Sequence, residues 1–241
     1  MINNEISKNS LTLPHILDFA QLDPKIQKNP ENHWTWNLSS LSYQMGRFAF
    51  NNSPEVGLFF RYISLYYQID TAIETGTFEG STTRFFAMNF NEVHTIELSE
   101  HRFKQGKELL KDLTNVHHYF GNSQDVLKHI LPTLKQKRLL CYLDAHWNDY
   151  WPLLDEIEEI GQTHKDHCII VIDDVKVPGR KDVFYDSYRK QSGSDEYLEC
   201  SYEFAKSKLD GAFSGYHYHY VVPQNPEMRA KLVVIPHKWK D

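Results

Sequence analysis

The residues best suited to chemistry are carboxylates that close apolar runs. Leu139-Leu140-Cys141-Tyr142-Leu143 ends in Asp144, and Ile169-Ile170-Val171-Ile172 ends in Asp173-Asp174. If those runs are neighbouring parallel strands, their carboxyl ends open on one crevice. Three hard oxygen donors there suit Mg2+, with waters and substrate oxygens filling its shell. Such an ion would hold a hydroxylated substrate and lower the pKa of its hydroxyl. A plainer reading of the same acids is that Asp173-Asp174 caps a turn and Asp144 contacts a cofactor.

A glycine loop supplies the second group. Ile73-Glu74-Thr75-Gly76-Thr77-Phe78-Glu79-Gly80-Ser81-Thr82-Thr83 lies between an apolar run and a helical stretch. Its glycines permit a tight turn, and a helix start offers free N–H groups to ligand oxygens. The spacing is E-x-G-x-x-x-G, and Phe78 stands where a dinucleotide site wants glycine near the pyrophosphate. This disfavours NAD. S-adenosylmethionine has no pyrophosphate, and Glu74 could meet its cationic groups. Glu74, Gly76, Thr77, Gly80, Ser81 and Thr82 are therefore the expected loop contacts. Glu97, 21 residues after Gly76, ends Val93-His94-Thr95-Ile96 and suits a ribose diol. Asn122 and Ser123 follow the next apolar run and fall where adenine would lie. Ser123 could equally be the N-cap of the following helix.

These positions need an alternating scaffold, and the sequence supplies one. Apolar runs predict strands at 69–74, 93–97, 116–120, 139–143 and 168–172. Helical spacing predicts helices at 54–68, 81–89, 100–112, 123–134 and about 150–160. Pro54 suits the first turn of the first helix, with Asn52 or Ser53 before it. The β-α alternation implies a Rossmann-like, doubly wound, mostly parallel sheet with helices on both faces. Residues 176–193 read as a loop and 196–209 as a helix. The extended runs 216–223 and 231–236 read as a hairpin or an antiparallel addition to the sheet edge. His117 and His118 point to opposite faces of their strand. His217 and His219 share a face, read as aromatic packing at an edge strand.

The chain of 241 residues, 41% hydrophobic, is long enough for one sizeable α/β core. A net charge of -6 and the lack of a basic run argue against a nucleic-acid partner. Three dispersed cysteines support neither a zinc site nor a disulfide framework. No apolar stretch resembles a signal peptide or membrane span, so a cytoplasmic protein is expected, with a homo-oligomer left open.

The stretch YLDAHWNDYWPLLDEIEEIGQTHKDHCIIVIDDVKVPG resembles the corresponding part of catechol O-methyltransferase and its metal-dependent relatives. Its acid pair is also similar to that of macrocin O-methyltransferase-like sugar methyltransferases. The resemblance runs from about residue 69 to 179. It implies a class I S-adenosylmethionine-dependent methyltransferase with a seven-stranded sheet and an antiparallel C-terminal strand. It also implies Mg2+ on Asp144, Asp173 and Asp174, and places Glu74, Gly76, Gly80, Glu97 and Ser123 around the cofactor. The family lysine after the tryptophan is replaced by Asn148, which cannot act as a base. His146, whose imidazole type titrates near neutrality, is the candidate replacement, and Asp144 is another.

The expected organisation is an N-terminal extension or lid at 1–53 and a methyltransferase domain at 54–241. An insertion at 176–215 would lie near the active site. The leading expectation is metal-assisted O-methylation of a hydroxylated small molecule. The alternatives are a metal-independent methyltransferase and a catalytically silent cofactor-binding protein.

Overall fold

The computed structural model describes residues 10–11, 49–146, 151–190, 195–223 and 229–239. Its centre is a sheet in which every side chain of β2 (Thr71–Thr75), β5 (Leu139–Leu143) and β6 (Cys168–Val175) is buried. That burial explains their near-continuous apolar sequences, since both faces are covered. β3 (Glu92–Glu97) and β4 (Val116–Phe120) extend the sheet on one side. On the other side lie β10 (Ala230–Pro236) and β9 (Tyr216–Val221). The order is β9-β10-β6-β5-β2-β3-β4, with the two-residue β1 (Ser10–Leu11) at the β9 edge. β2 to β6 run parallel, and β10 is antiparallel to both its neighbours. The predicted antiparallel addition is therefore an inserted strand.

Alternation sends strand residues to two apolar layers. Ile73, Cys141, Leu143, Ile170 and Ile172 pack beneath α5 (Ser123–Ile130), α6 (Leu153–His164) and α7 (Tyr202–Ala212). Ala72, Leu140, Tyr142, Ile169 and Val171 pack beneath α1 (Ala49–Asn52), α2 (Pro54–Tyr66) and α3 (Ser81–Asn89). Each large side chain so buried contributes about 1.5–3 kcal/mol. Phe50 is 3% exposed and touches the rings of Phe60, Phe85, Phe86 and Tyr142. The main core thus takes in residues before Pro54. Of the expected 1–53 extension, residues 1–9 and 12–48 lie outside the described residues.

Several boundaries move for identifiable reasons. Residues 196–201 are not helical: β8 (Tyr197–Glu199) pairs antiparallel with β7 (Ser187–Arg189), inside the predicted loop. α7 starts only after Ser201, whose hydroxyl accepts from the Phe204 N–H at 3.2 Å as its N-cap. α4 (Glu100–Leu109) stops short of Asp112, and α5 gives way to a 3-10 turn at Leu131–Leu134 that contains Pro132. β6 runs through Val175, so Asp173 and Asp174 lie within the strand. No described helix is long and apolar enough to cross a membrane.

Candidate active site

The loop after β2 turns sharply at Gly76 (φ 86°), Phe78 (φ 49°) and Gly80 (φ 74°). At Gly76 a side chain is excluded twice over. Its φ is left-handed, and a Cβ would sit 2.8 Å from the Asp144 carbonyl oxygen. The Gly76 and Thr77 N–H groups donate to the Ile96 carbonyl at 3.0 and 3.1 Å. Across the loop, Glu97 accepts from the Phe78 N–H through Oε2 (2.9 Å) and from the Ser99 N–H through Oε1 (2.8 Å). Glu97 thus braces the loop, and each oxygen keeps acceptor capacity for a further donor. The Arg102 guanidinium stacks 3.8 Å over the exposed Phe78 ring.

Other predicted loop contacts face inward. Glu74 is 1% exposed, and its Oε2 accepts from the hydroxyls of Thr83 and Thr95 beneath α3. Burial pushes its pKa up to about 7, against the pull of those hydroxyls. The Thr77 hydroxyl shares a 2.6 Å bond with that of Thr95. Ser81 and Thr82 stand in the first turn of α3, where Thr82 Oγ1 lies 3.5 Å from the Phe50 N–H. Asn122, not Ser123, caps α5, accepting from the Gln124 N–H at 3.1 Å. The cap leaves Ser123 Oγ buried with no hydrogen-bond partner. Beyond it stands Glu156 of α6, fully buried, with both carboxyl oxygens unpartnered. Burial raises its pKa to about 7; the Ser123 and Thr75 hydroxyls temper the rise without reaching hydrogen-bonding geometry.

The strand-end acids share a small cavity lined by Asp144, His146, Glu156, Asp173, Asp174 and Asp186. Two cations are built into the cluster. Lys231 Nζ contacts the Asp173 carboxylate and is 3.9 Å from Asp174 Oδ1. Arg229 Nη1 bonds Asp174 Oδ2 at 2.6 Å and also contacts Asp186. The Tyr142 hydroxyl donates to Asp173 Oδ2, and the Asp174 N–H donates to Asp173 Oδ1 at 2.6 Å. Burial opposes the charge on Lys231, but Asp173 and Asp174 outweigh it and raise its pKa. Burial and the repulsion of Asp173 and Asp174 push the Asp144 carboxyl well above its usual range. Asp174 is raised to about 8 for the same reasons, burial first and Asp173 second.

The divalent ion expected on Asp144, Asp173 and Asp174 does not fit this arrangement. The three carboxylates do not bring ligand atoms within 4.8 Å of one another. Asp173, moreover, is already satisfied by an ammonium, a phenol and a backbone N–H. His146 is half-exposed at the cavity rim, with Nε2 3.8 Å from Asp186 Oδ2. Asp186 is itself fixed: Tyr188 OH donates to Oδ2 at 2.9 Å, and the Asp186 N–H donates to the Asp174 carbonyl at 2.9 Å. Trp147 and Asn148 lie outside the described residues.

No family model matches the sequence, and neither does any curated protein. Solved structures do match the fold. The cofactor-bound Rv0187 of MTB is 18% identical, with a TM-score of 0.55 over 92% of this chain and 96% of that one. The O-methyltransferase TomG of Streptomyces achromogenes, solved with SAM, is 14% identical; its TM-score is 0.54 over 96% and 98% of the two chains. An O-methyltransferase from Bacillus cereus, solved with SAH, is 14% identical; its TM-score is 0.52 over 92% and 99%. The chain has the class I methyltransferase fold.

Within this methyltransferase fold, the structure joins the loop and acid groups at Asp144. Its carbonyl abuts Gly76 and its carboxyl lines the acid cavity. Sequence reasoning missed Glu156, Asp186, Arg229 and Lys231. The first two sit on a predicted helix and in a predicted loop, where acids are ordinary. Arg229 and Lys231 did carry a signal: two cations at i and i+2 opening an apolar strand share one side of it.

Proposed function

We propose that the chain transfers the methyl group of S-adenosylmethionine to a hydroxyl oxygen of a small molecule. We further propose that Lys231 and Arg229 supply fixed positive charge where the resemblance to metal-dependent O-methyltransferases implies a divalent cation. The observation that carries this reading is the meeting, at Asp144, of a glycine loop braced by Glu97 with a buried acid–cation cluster. It is supported by the O-methyltransferases of the same fold solved with SAM or SAH.

The sulfonium is already activated, so the protein's task is alignment and proton removal. The acceptor hydroxyl loses its proton to His146, which Asp186 orients, or to Asp144. The oxygen forms a bond to the methyl carbon, the carbon–sulfur bond breaks, and its electron pair stays on sulfur. The products are a methyl ether and S-adenosylhomocysteine. Arg229 and Lys231 offset the charge of the surrounding acids, so an oxygen anion can form beside them.

Calorimetric titration with S-adenosylhomocysteine tests the cofactor reading, with saturable binding expected. No binding would sink it. Methyl transfer to a panel of hydroxylated acceptors, with and without EDTA, tests the rest. Turnover that survives chelation is expected. Turnover lost with EDTA and restored by Mg2+ would favour the second reading, metal-assisted transfer. One observation speaks for that reading: Asp174 Oδ1 is buried without a hydrogen-bond partner. Binding with no turnover on any acceptor would favour a silent cofactor-binding protein.

A further inference from the structure

At the opposite end of β3 from Glu97, three metal-ligating side chains converge. Glu92 and His94 are alternate residues and share a face of β3. His117 of β4 is the register partner of His94. Glu92 Oε1 lies 3.1 Å from His94 Nε2 and 3.5 Å from His117 Nε2, and all three ligand atoms fall within 4.8 Å of one another. Two donors held at tetrahedral angles by zinc, each about 2.0–2.1 Å from the ion, are about 3.3 Å apart. The existing spacing is therefore close to that of a bound ion.

The surroundings orient the ligands. His94 Nδ1 lies 3.0 Å from the Tyr119 hydroxyl; with its proton there, the Nε2 lone pair is directed at the cluster. Lys137 Nζ contacts Glu92 Oε2, which leaves Oε1 as the ligand atom. The His94 and His117 rings stack at 4.8 Å with planes 20° apart, so both Nε2 atoms address the same carboxylate oxygen. His117 is half-exposed, giving an entry path and room for water as a fourth ligand. Opposing binding is the charge of Lys137, which offsets that of Glu92.

We propose that Glu92, His94 and His117 form a zinc-type divalent metal site that staples edge strand β4 to β3. Nitrogen and oxygen donors of this kind favour Zn2+ over Mg2+. Three residues of strand, about 10 Å, separate His94 from Glu97, so the site does not take part in methyl transfer.

The test uses the full chain, freed of any affinity tag and stripped of metal. Zn2+ is titrated by calorimetry, and Co2+ is added as a spectroscopic probe. One equivalent of Zn2+, the visible bands of tetrahedral Co2+ and a raised Tm are expected. His117→Ala, on an exposed side chain, should weaken binding at least tenfold and abolish the Tm gain, with far-ultraviolet dichroism and methyl transfer unchanged. Glu92→Gln should weaken binding in the same direction. No saturable Zn2+ binding by the wild type, or binding unchanged in His117→Ala, would overturn the proposal.

Discussion

Lys231 and Asp173 form an ion pair that water hardly reaches, their side chains 1% and 3% exposed. The pair spans two strands of opposite direction, β10 and β6. A buried pair of this kind owes its persistence to both partners, because either charge alone would be stranded in low dielectric.

Lys231→Met should therefore destabilise the fold by about 3–5 kcal/mol, read as a lower midpoint in urea. Adding Asp173→Asn should recover part of that loss. If the double variant were no more stable than the single one, the charge would not be the cause.

Glu97→Ala should weaken S-adenosylhomocysteine binding roughly ten- to a hundredfold, the scale of lost hydrogen bonds to a charged group. The variant also frees the Phe78 N–H that Glu97 now holds. Calorimetry reads the change, and affinity within twofold of wild type would remove Glu97 from the cofactor site.

Asp186→Asn should lower kcat about tenfold, less than the loss of an acid–base group itself would cost, with little change in KM. Asp186 acts as a positioning residue for His146, so the pH–rate profile should shift with it. A lowered kcat with an unshifted profile would mark the loss as structural, and an unaltered kcat would remove Asp186 from the mechanism.

Glu156 makes stability depend on pH. Its folded pKa of about 7 lies above the ordinary 4.5, so the folded state binds more protons between those values. The stability it contributes is complete below about pH 4.5 and is lost as pH rises through 7, by about 3 kcal/mol at most. Glu156→Gln should flatten the dependence and raise Tm at pH 8, leaving the residual slope that Glu74 contributes for the same reason. A variant with the wild-type slope between pH 5 and 8 would refute this.

The parallel sheet was legible because doubly covered strands write themselves as apolar runs, and Gly76 and Glu97 because they close such runs. What the sequence could not disclose was charge compensation. Asp144, Asp173 and Asp174 look like an open ligand set until β10 brings Lys231 and Arg229 against them, and that meeting depends on a strand inserted from far along the chain. Register hid the second cluster in the same way. Glu92-Val93-His94 is an unremarked triplet, and only the pairing of His94 with His117 makes it a constellation. The difference at 196–201 is local: Tyr197–Glu199 forms β8, and the helix begins only after its Ser201 cap.

The insertion of β10 between β6 and β9 also sets an order of events. Asp144, Asp173 and Asp174 are made before the cations that balance them, so β5 and β6 can associate early only against mutual repulsion. Seating β10 both completes the sheet and discharges that repulsion. Its pairing is therefore expected to act as an electrostatic latch, and while it remains open the repulsion among the acids is eased by salt.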